Sequence, residues 1–135
     1  MSSSDTFIPL RLALLTVSDT RSRDNDTSGD YLAGAMGEAG HELAARELLP
    51  DDIYRVRAAV AAWIADPTID GVLVNGGTGF TGRDSTPEAI GPLLDKEMPG
   101  FGELFRQVSV EEIGTSSLQS RAFAGLSNNS FVFCL

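Results

Sequence analysis

The 135-residue chain has a single cysteine, Cys134, and a single histidine, His41. One cysteine excludes an internal disulfide and gives no basis for a zinc cluster. Within the apolar run Phe131-Val132-Phe133-Cys134-Leu135 the thiol reads as a small core hydrophobe. His41 follows Gly40 at an expected helix end and reads as a solvated turn residue rather than a catalytic base. Metal chemistry that needs imidazole clusters is thereby excluded, whereas carboxylate-bound Mg²⁺ is not. Basic residues are also scarce: 10 Lys and Arg against 19 Asp and Glu give a formal net charge of −9. That balance opposes broad attraction to nucleic acid or to an anionic membrane, and neither is expected as a partner. An anionic small molecule would need local donors, meaning backbone amides, a few arginines or a divalent cation. Long apolar runs are missing too. Leu12-Ala13-Leu14-Leu15 and Val72-Leu73-Val74 are strand-sized and far too short to span a bilayer. Met1 to Thr6 has neither a basic region nor an apolar core, so no signal peptide is read there and a cytoplasmic protein is expected.

What is present fits one domain over residues 1–135, large enough for a core without staples, with an ordinary hydrophobic fraction of 42%. Arg11 to Val17 reads as a buried strand, followed by a polar loop from Ser18 to Asp26. Tyr31, Leu32, Ala35, Met36 and Ala39 recur at helical spacing, with Gly40 as the stop. A second strand over Leu43 to Leu49 precedes a helix with Ile53, Val56, Val60, Trp63 and Ile64 on one face, ending before Pro67. Trp63 belongs to that apolar face. Gly71 to Asn75 is a third strand feeding a glycine-rich loop, and Pro87 marks the first turn of a helix capped by Ser85 or Thr86. Further helices are expected over Gly102 to Val108 and Ser117 to Ala124, before a last strand from Ser130 to Leu135. Strands separated by helices imply a three-layer α/β/α domain with a mostly parallel central sheet.

The loop Val74-Asn-Gly-Gly-Thr-Gly-Phe-Thr-Gly-Arg-Asp-Ser-Thr-Pro-Glu88 carries the chemistry. Gly77, Gly79 and Gly82 satisfy a dinucleotide-binding spacing, but the helix start lies beyond all three glycines. A P-loop requires Lys-Ser/Thr after its second glycine, where this chain has Arg83-Asp84. A carboxylate at Asp84 repels phosphate unless a metal lies between them. Exposed amides of a Gly-Gly-Thr-Gly turn, an arginine, and an aspartate just before a helix suit a Mg²⁺-bound polyphosphate. Spacing alone leaves a phosphate site and a bare tight turn open as alternatives. In open parallel sheets ligands settle outside the carboxyl ends of the strands. Ser18-Asp19-Thr20-Arg21, Pro50-Asp51-Asp52 and Gly76 to Asp84 are all expected there. Asp51 reads either as a helix cap or as the second carboxylate of a metal site.

The segments "LLTVSDTR" (14–21), "DTSGDYL" (26–32), "EAGHE" (38–42), "GGTGFTGRDSTPEA" (76–89), "PGFGELFR" (99–106) and "EEIGTSSLQSRAFAGL" (111–126) together resemble the MoaB/MogA molybdenum-cofactor biosynthesis family, related to the G domain of gephyrin. "GFTGRDSTPEA" and "EEIGTSSLQSRA" resemble its MoaB branch more than its MogA branch. The resemblance implies molybdopterin adenylyltransferase activity, using ATP as co-substrate and Mg²⁺ as cofactor. It assigns metal binding and catalysis to Asp51 and Asp84. Gly76, Gly77, Thr78 and Gly79 match the nucleotide-phosphate loop, with Arg83 beside it and Ser18 and Asp19 lining the same site. Ser120 and Arg121 match a polar segment near the pterin pocket. The resemblance also implies a MogA-like fold assembled as a homo-trimer or homo-hexamer. Family members usually continue past the last strand through a Pro-Gly-Ser-like loop and a further helix, which this chain, ending at Leu135, is expected to lack. A protein of the same fold that binds molybdopterin or a nucleotide without chemistry is the alternative.

Overall fold

The structure is a computed structural model that describes residues 6–79, 82, 84–113 and 121–135, without the side chains of 108–113. In chain order it contains β1 (Arg11–Val17), α1 (Thr27–Glu38), β2 (Glu42–Leu49), α2 (Ile53–Ala65), β3 (Gly71–Asn75), α3 (Thr86–Ile90), β4 (Lys96–Glu97), α4 (Pro99–Ile113), β5 (Phe123–Ser127) and β6 (Ser130–Cys134). The six strands form one sheet in the order β2-β1-β3-β6-β5-β4. Pairings β1–β2, β1–β3 and β3–β6 are parallel, whereas β6–β5 and β5–β4 are antiparallel. The expected three-layer architecture and mostly parallel sheet are therefore observed.

Burial explains the central strands. Ala13 to Val17 are all buried, the continuous pattern of a strand covered on both faces. On one face Ala13, Leu15, Val17, Val72, Val74, Val132 and Cys134 pack against Val56 and Val60 of α2 and Ala89 and Ile90 of α3. Trp63 packs at the margin of this core, as its place on the apolar face of α2 suggested. On the opposite side Phe101 of α4 meets Phe133 at 5.4 Å between ring centroids.

Buried Asp26 joins α1 to this frame. Its carboxylate accepts from Thr16 Oγ1 at 2.8 Å, from the Gly29 amide at 3.1 Å as the cap of α1, and from Arg46 at 3.2 Å. Burial alone would raise the Asp26 pKa, but the bonds from Thr16, Arg46 and Gly29 outweigh it and hold the carboxyl below its ordinary value.

The C-terminal third departs from the sequence expectation. Phe123 and Ala124, expected to close a helix from Ser117, instead begin strand β5, while 117–120 fall outside the described residues. β5 returns into β6 through Asn128 and Asn129, both at positive φ (48° and 66°), and β4 closes the edge. Two adjacent left-handed residues give the turn a twist suited to antiparallel pairing. Helix α4 begins earlier and ends later than the expected Gly102 to Val108.

Among the described residues, no helix is long and apolar enough to cross a membrane.

Candidate functional site

The carboxyl ends of β1, β2 and β3 bring the three expected polar segments together. Ser18 begins the loop after β1. Its amide donates to Leu49 O at 2.9 Å, and its hydroxyl accepts from the Thr20 and Arg21 amides at 3.3 and 3.1 Å. Asp19 in that loop accepts from the Asp51 amide at 3.0 Å, joining the loops after β1 and β2.

Asp51 does not cap α2. The N-cap is Asp52, whose side chain accepts from the Tyr54 and Arg55 amides at 2.9 and 3.1 Å. Asp51 instead faces the glycine loop. Its Oδ1 accepts from the Ser85 amide at 3.1 Å and from the Ser85 hydroxyl, while Oδ2 lies 3.1 Å from where a Cβ on Gly77 would stand. Ser85 occupies the N-cap of α3 without bonding the helix through its side chain, because its hydroxyl is turned to Asp51.

Gly76 and Gly77 are needed by the path of the chain as well as by space. Both have positive φ, 113° and 74°. A Cβ on Gly76 would stand 2.3 Å from Val17 O, and one on Gly77 would stand 2.2 Å from Thr86 Oγ1. Two residues on, a Cβ at Gly79 would meet Asp84 Oδ2 at 2.7 Å. The Asp51 and Asp84 carboxylates therefore rest against glycines two positions apart, whose Cα atoms are at most about 7 Å from each other.

Every carbonyl of this turn is tied to the protein. Gly76 O accepts from Thr86 Oγ1 at 2.8 Å and Gly77 O from the Thr86 amide at 3.0 Å. Thr78 O accepts from the Arg121 amide at 2.6 Å and Gly79 O from Arg121 Nε at 2.7 Å. In a planar trans peptide the N–H points opposite to the C=O. Fixing the carbonyls of 76, 77 and 78 toward Thr86 and Arg121 turns the amides of Gly77, Thr78 and Gly79 away from those residues. Amides of a glycine turn left pointing away from the protein's own acceptors are the groups from which an anion-binding concavity is built.

Fully buried Thr86 was legible in the sequence only as a possible helix cap; its observed work is to hold Gly76 and Gly77. Tyr54 was not singled out at all. It is 76% exposed and lines an open recess of about 410 Å³ with Pro50, Asp51, Asp52, Gly82 and Ser85. Arg83 and Ser120 lie outside the described residues. His41 stands just before the amino end of β2, roughly 25 Å along the strand from the site. There its Nδ1 accepts from the Leu10 amide at 3.1 Å. Cys134 is fully buried, and burial pushes its thiol pKa well up.

Comparison with known proteins follows this geometry. Residues 13–135 match the family described as "Probable molybdopterin binding domain". The chain is 50% identical over 132 residues to molybdenum cofactor biosynthesis protein B of Escherichia coli (strain K12), covering 98% of this chain and 78% of that protein. It is 46% identical over 125 residues to the protein of the same name from Bacillus subtilis (strain 168), covering 92% and 74%. A crystal structure of a molybdenum cofactor biosynthesis protein B matches with a TM-score of 0.90 at 44% identity, covering 95% of this chain and 80% of that one. The tungsten cofactor synthesizing protein MoaB from Pyrococcus furiosus matches with a TM-score of 0.79 at 33% identity, covering 96% and 83%.

Proposed function

The chain belongs to the MoaB/MogA molybdenum-cofactor biosynthesis family, and from that membership and the glycine turn we propose that it adenylylates molybdopterin with Mg-ATP. A terminal phosphate oxygen of molybdopterin forms a bond to the α-phosphorus of ATP. The bond from that phosphorus to the bridging oxygen breaks, and pyrophosphate leaves with its electron pair. The observation that carries this reading is the placement of the Asp51 and Asp84 carboxylates against Gly77 and Gly79, on a turn whose carbonyls are all held by Thr86 and Arg121.

The donor set fits Mg²⁺. Among the described residues no cluster of three or more His, Cys, Asp or Glu side chains is arranged to hold a metal. Mg²⁺ is ordinarily held by one or two carboxylates, with phosphate oxygens and water completing its shell. Asp51 and Asp84 are the residues that would hold it. When bound, the ion supplies charge neutralisation on the polyphosphate, which a chain of net charge −9 otherwise repels.

The protein's own contribution is alignment. The amides of Gly77, Thr78 and Gly79 receive phosphate oxygens, and the Ser85–Asp51–Asp19 connection fixes one carboxylate relative to them. No serine, cysteine or histidine nucleophile is needed, because the attacking atom is already a phosphate oxygen. A remote His41 and an inert Cys134 are compatible with that chemistry. A cytoplasmic homo-trimer or homo-hexamer is the form in which we expect it to act.

The test is pyrophosphate release from Mg-ATP and molybdopterin by the wild-type chain and by Asp51→Asn and Asp84→Asn. Each variant is expected to lose turnover by about 10²-fold or more while keeping its circular dichroism spectrum. Wild-type turnover in both would remove the assigned role. Binding of both substrates by the wild-type chain without pyrophosphate release would identify a carrier instead.

A further inference from the structure

We infer that Arg121 is a positioning residue: its guanidinium closes the glycine loop and so sets where Asp84 stands relative to the Gly77–Gly79 amides. The inference deepens the nucleotide reading and rests on it for its kinetic consequence alone. Arg121 lies just before β5, 42 residues from Gly79 in the chain. Its amide donates to Thr78 O at 2.6 Å and its Nε to Gly79 O at 2.7 Å. Its Nη2 donates to Asp84 O, and its Nη1 pairs with Glu88 Oε2 at 2.5 Å. One residue therefore holds the loop on both sides of 80–83 and ties it to α3.

The geometry asks for arginine in particular. Nε, Nη1 and Nη2 point in three fixed, coplanar directions, and each meets a different acceptor. A lysine offers one point charge on a flexible stem and cannot bridge Gly79 O, Asp84 O and Glu88 together. The guanidinium is 24% exposed and is directed at protein acceptors. Its effect on substrate is thus transmitted through the backbone. With Gly79 O and Asp84 O on one rigid fork, the backbone on the two sides of 80–83 is held at a preset separation before any ligand arrives. The hydrogen bond from Arg121, with its charge, also holds the Glu88 carboxyl below its usual pKa range.

The test compares wild type, Arg121→Lys and Arg121→Ala by two measurements. The first is amide hydrogen exchange in the ligand-free protein. The amides of Gly76, Ser85 and Thr86, which donate to Leu135 O, Asp51 Oδ1 and Gly77 O, are expected to exchange at least about 10-fold faster in both variants, while α2 and the central strands keep wild-type protection. The second is the kinetic split. KM for Mg-ATP is expected to rise by about 10-fold or more in Arg121→Lys, with no rescue by the retained charge. Unchanged exchange at Gly76, Ser85 and Thr86 in both variants, or a uniform rise across the whole chain, would overturn the positioning role. Restoration of wild-type KM by lysine would overturn the requirement for the fork. If the wild-type chain binds no Mg-ATP, the nucleotide reading fails, and the exchange measurement still decides whether Arg121 organises the loop.

Discussion

Alanine at Gly79 and at Gly77, two positions apart on one turn, should damage the protein in different ways. The Gly79 backbone lies outside the left-handed region, so alanine is conformationally acceptable there. Its Cβ would nevertheless stand 2.7 Å from Asp84 Oδ2 and 3.3 Å from Cγ. Relief to an ordinary contact of about 3.5 Å requires the carboxylate to move by roughly 0.8 Å. A carboxylate on a rotatable side chain moves at low cost, so stability should change by less than about 1 kcal/mol. Misplacement of a reacting-site group by about 1 Å costs about 10²-fold in rate. Gly77→Ala instead forces a side chain to φ 74° and pushes a Cβ to within 2.2 Å of buried Thr86 Oγ1. Left-handed strain of about 1–2 kcal/mol and loss of the buried Thr86 bonding, about 1–3 kcal/mol, give a total of about 2–5 kcal/mol. For a chain of this size that lowers Tm by on the order of 10 °C. Thermal melts and pyrophosphate release on the two variants make the comparison. Equal losses of stability, or wild-type turnover in Gly79→Ala when Asp84→Asn is inactive, would refute the placement of Asp84 against the turn.

Two further expectations concern titration and reactivity. The folded Asp26 pKa is depressed, so its contribution to stability is complete above the unfolded value of about 3.9 and is lost as pH falls through the folded value. Asp26→Asn should be less stable at neutral pH and show a flatter fall between pH 4 and the folded value in urea titrations, and an unchanged slope would contradict the assignment. Cys134, buried and with its thiol pushed up, should resist a thiol reagent at pH 8 until the chain is unfolded by denaturant; native-state labelling at the unfolded rate would contradict its place in the core.

The parts of the fold legible in the sequence are those fixed by local pattern. The apolar run Arg11–Val17 and the segment Gly71–Asn75 became strands over those bounds, and the Ile53 to Ile64 face marked α2. β5 was not legible as a strand, because it exists through its neighbours. Gly125 lies so close to β4 that a Cβ there would stand 2.4 Å from Lys96 O, and pairing of Phe123 and Ala124 with β6 overrides the helix expected at those two residues. Asn128-Asn129 was the available signal for that hairpin. At the site, the convergence of three loops followed from sheet topology alone. Which of Asp51 and Asp52 caps α2 did not, because two adjacent acids satisfy the same spacing and helix register chooses between them. The grip of Arg121 on Gly79 joins positions 42 residues apart, beyond any local pattern.

The central claim is that Asp51 and Asp84 hold the divalent ion of the nucleotide beside the amides of Gly77, Thr78 and Gly79. Mn²⁺ in place of Mg²⁺, with ATP, allows this to be observed directly through paramagnetic broadening of the assigned amide resonances. The account predicts that Gly77, Thr78 and Gly79 broaden first, and that the effect is lost in Asp51→Asn and Asp84→Asn. Sharp signals from those three amides while resonances elsewhere broaden would contradict it.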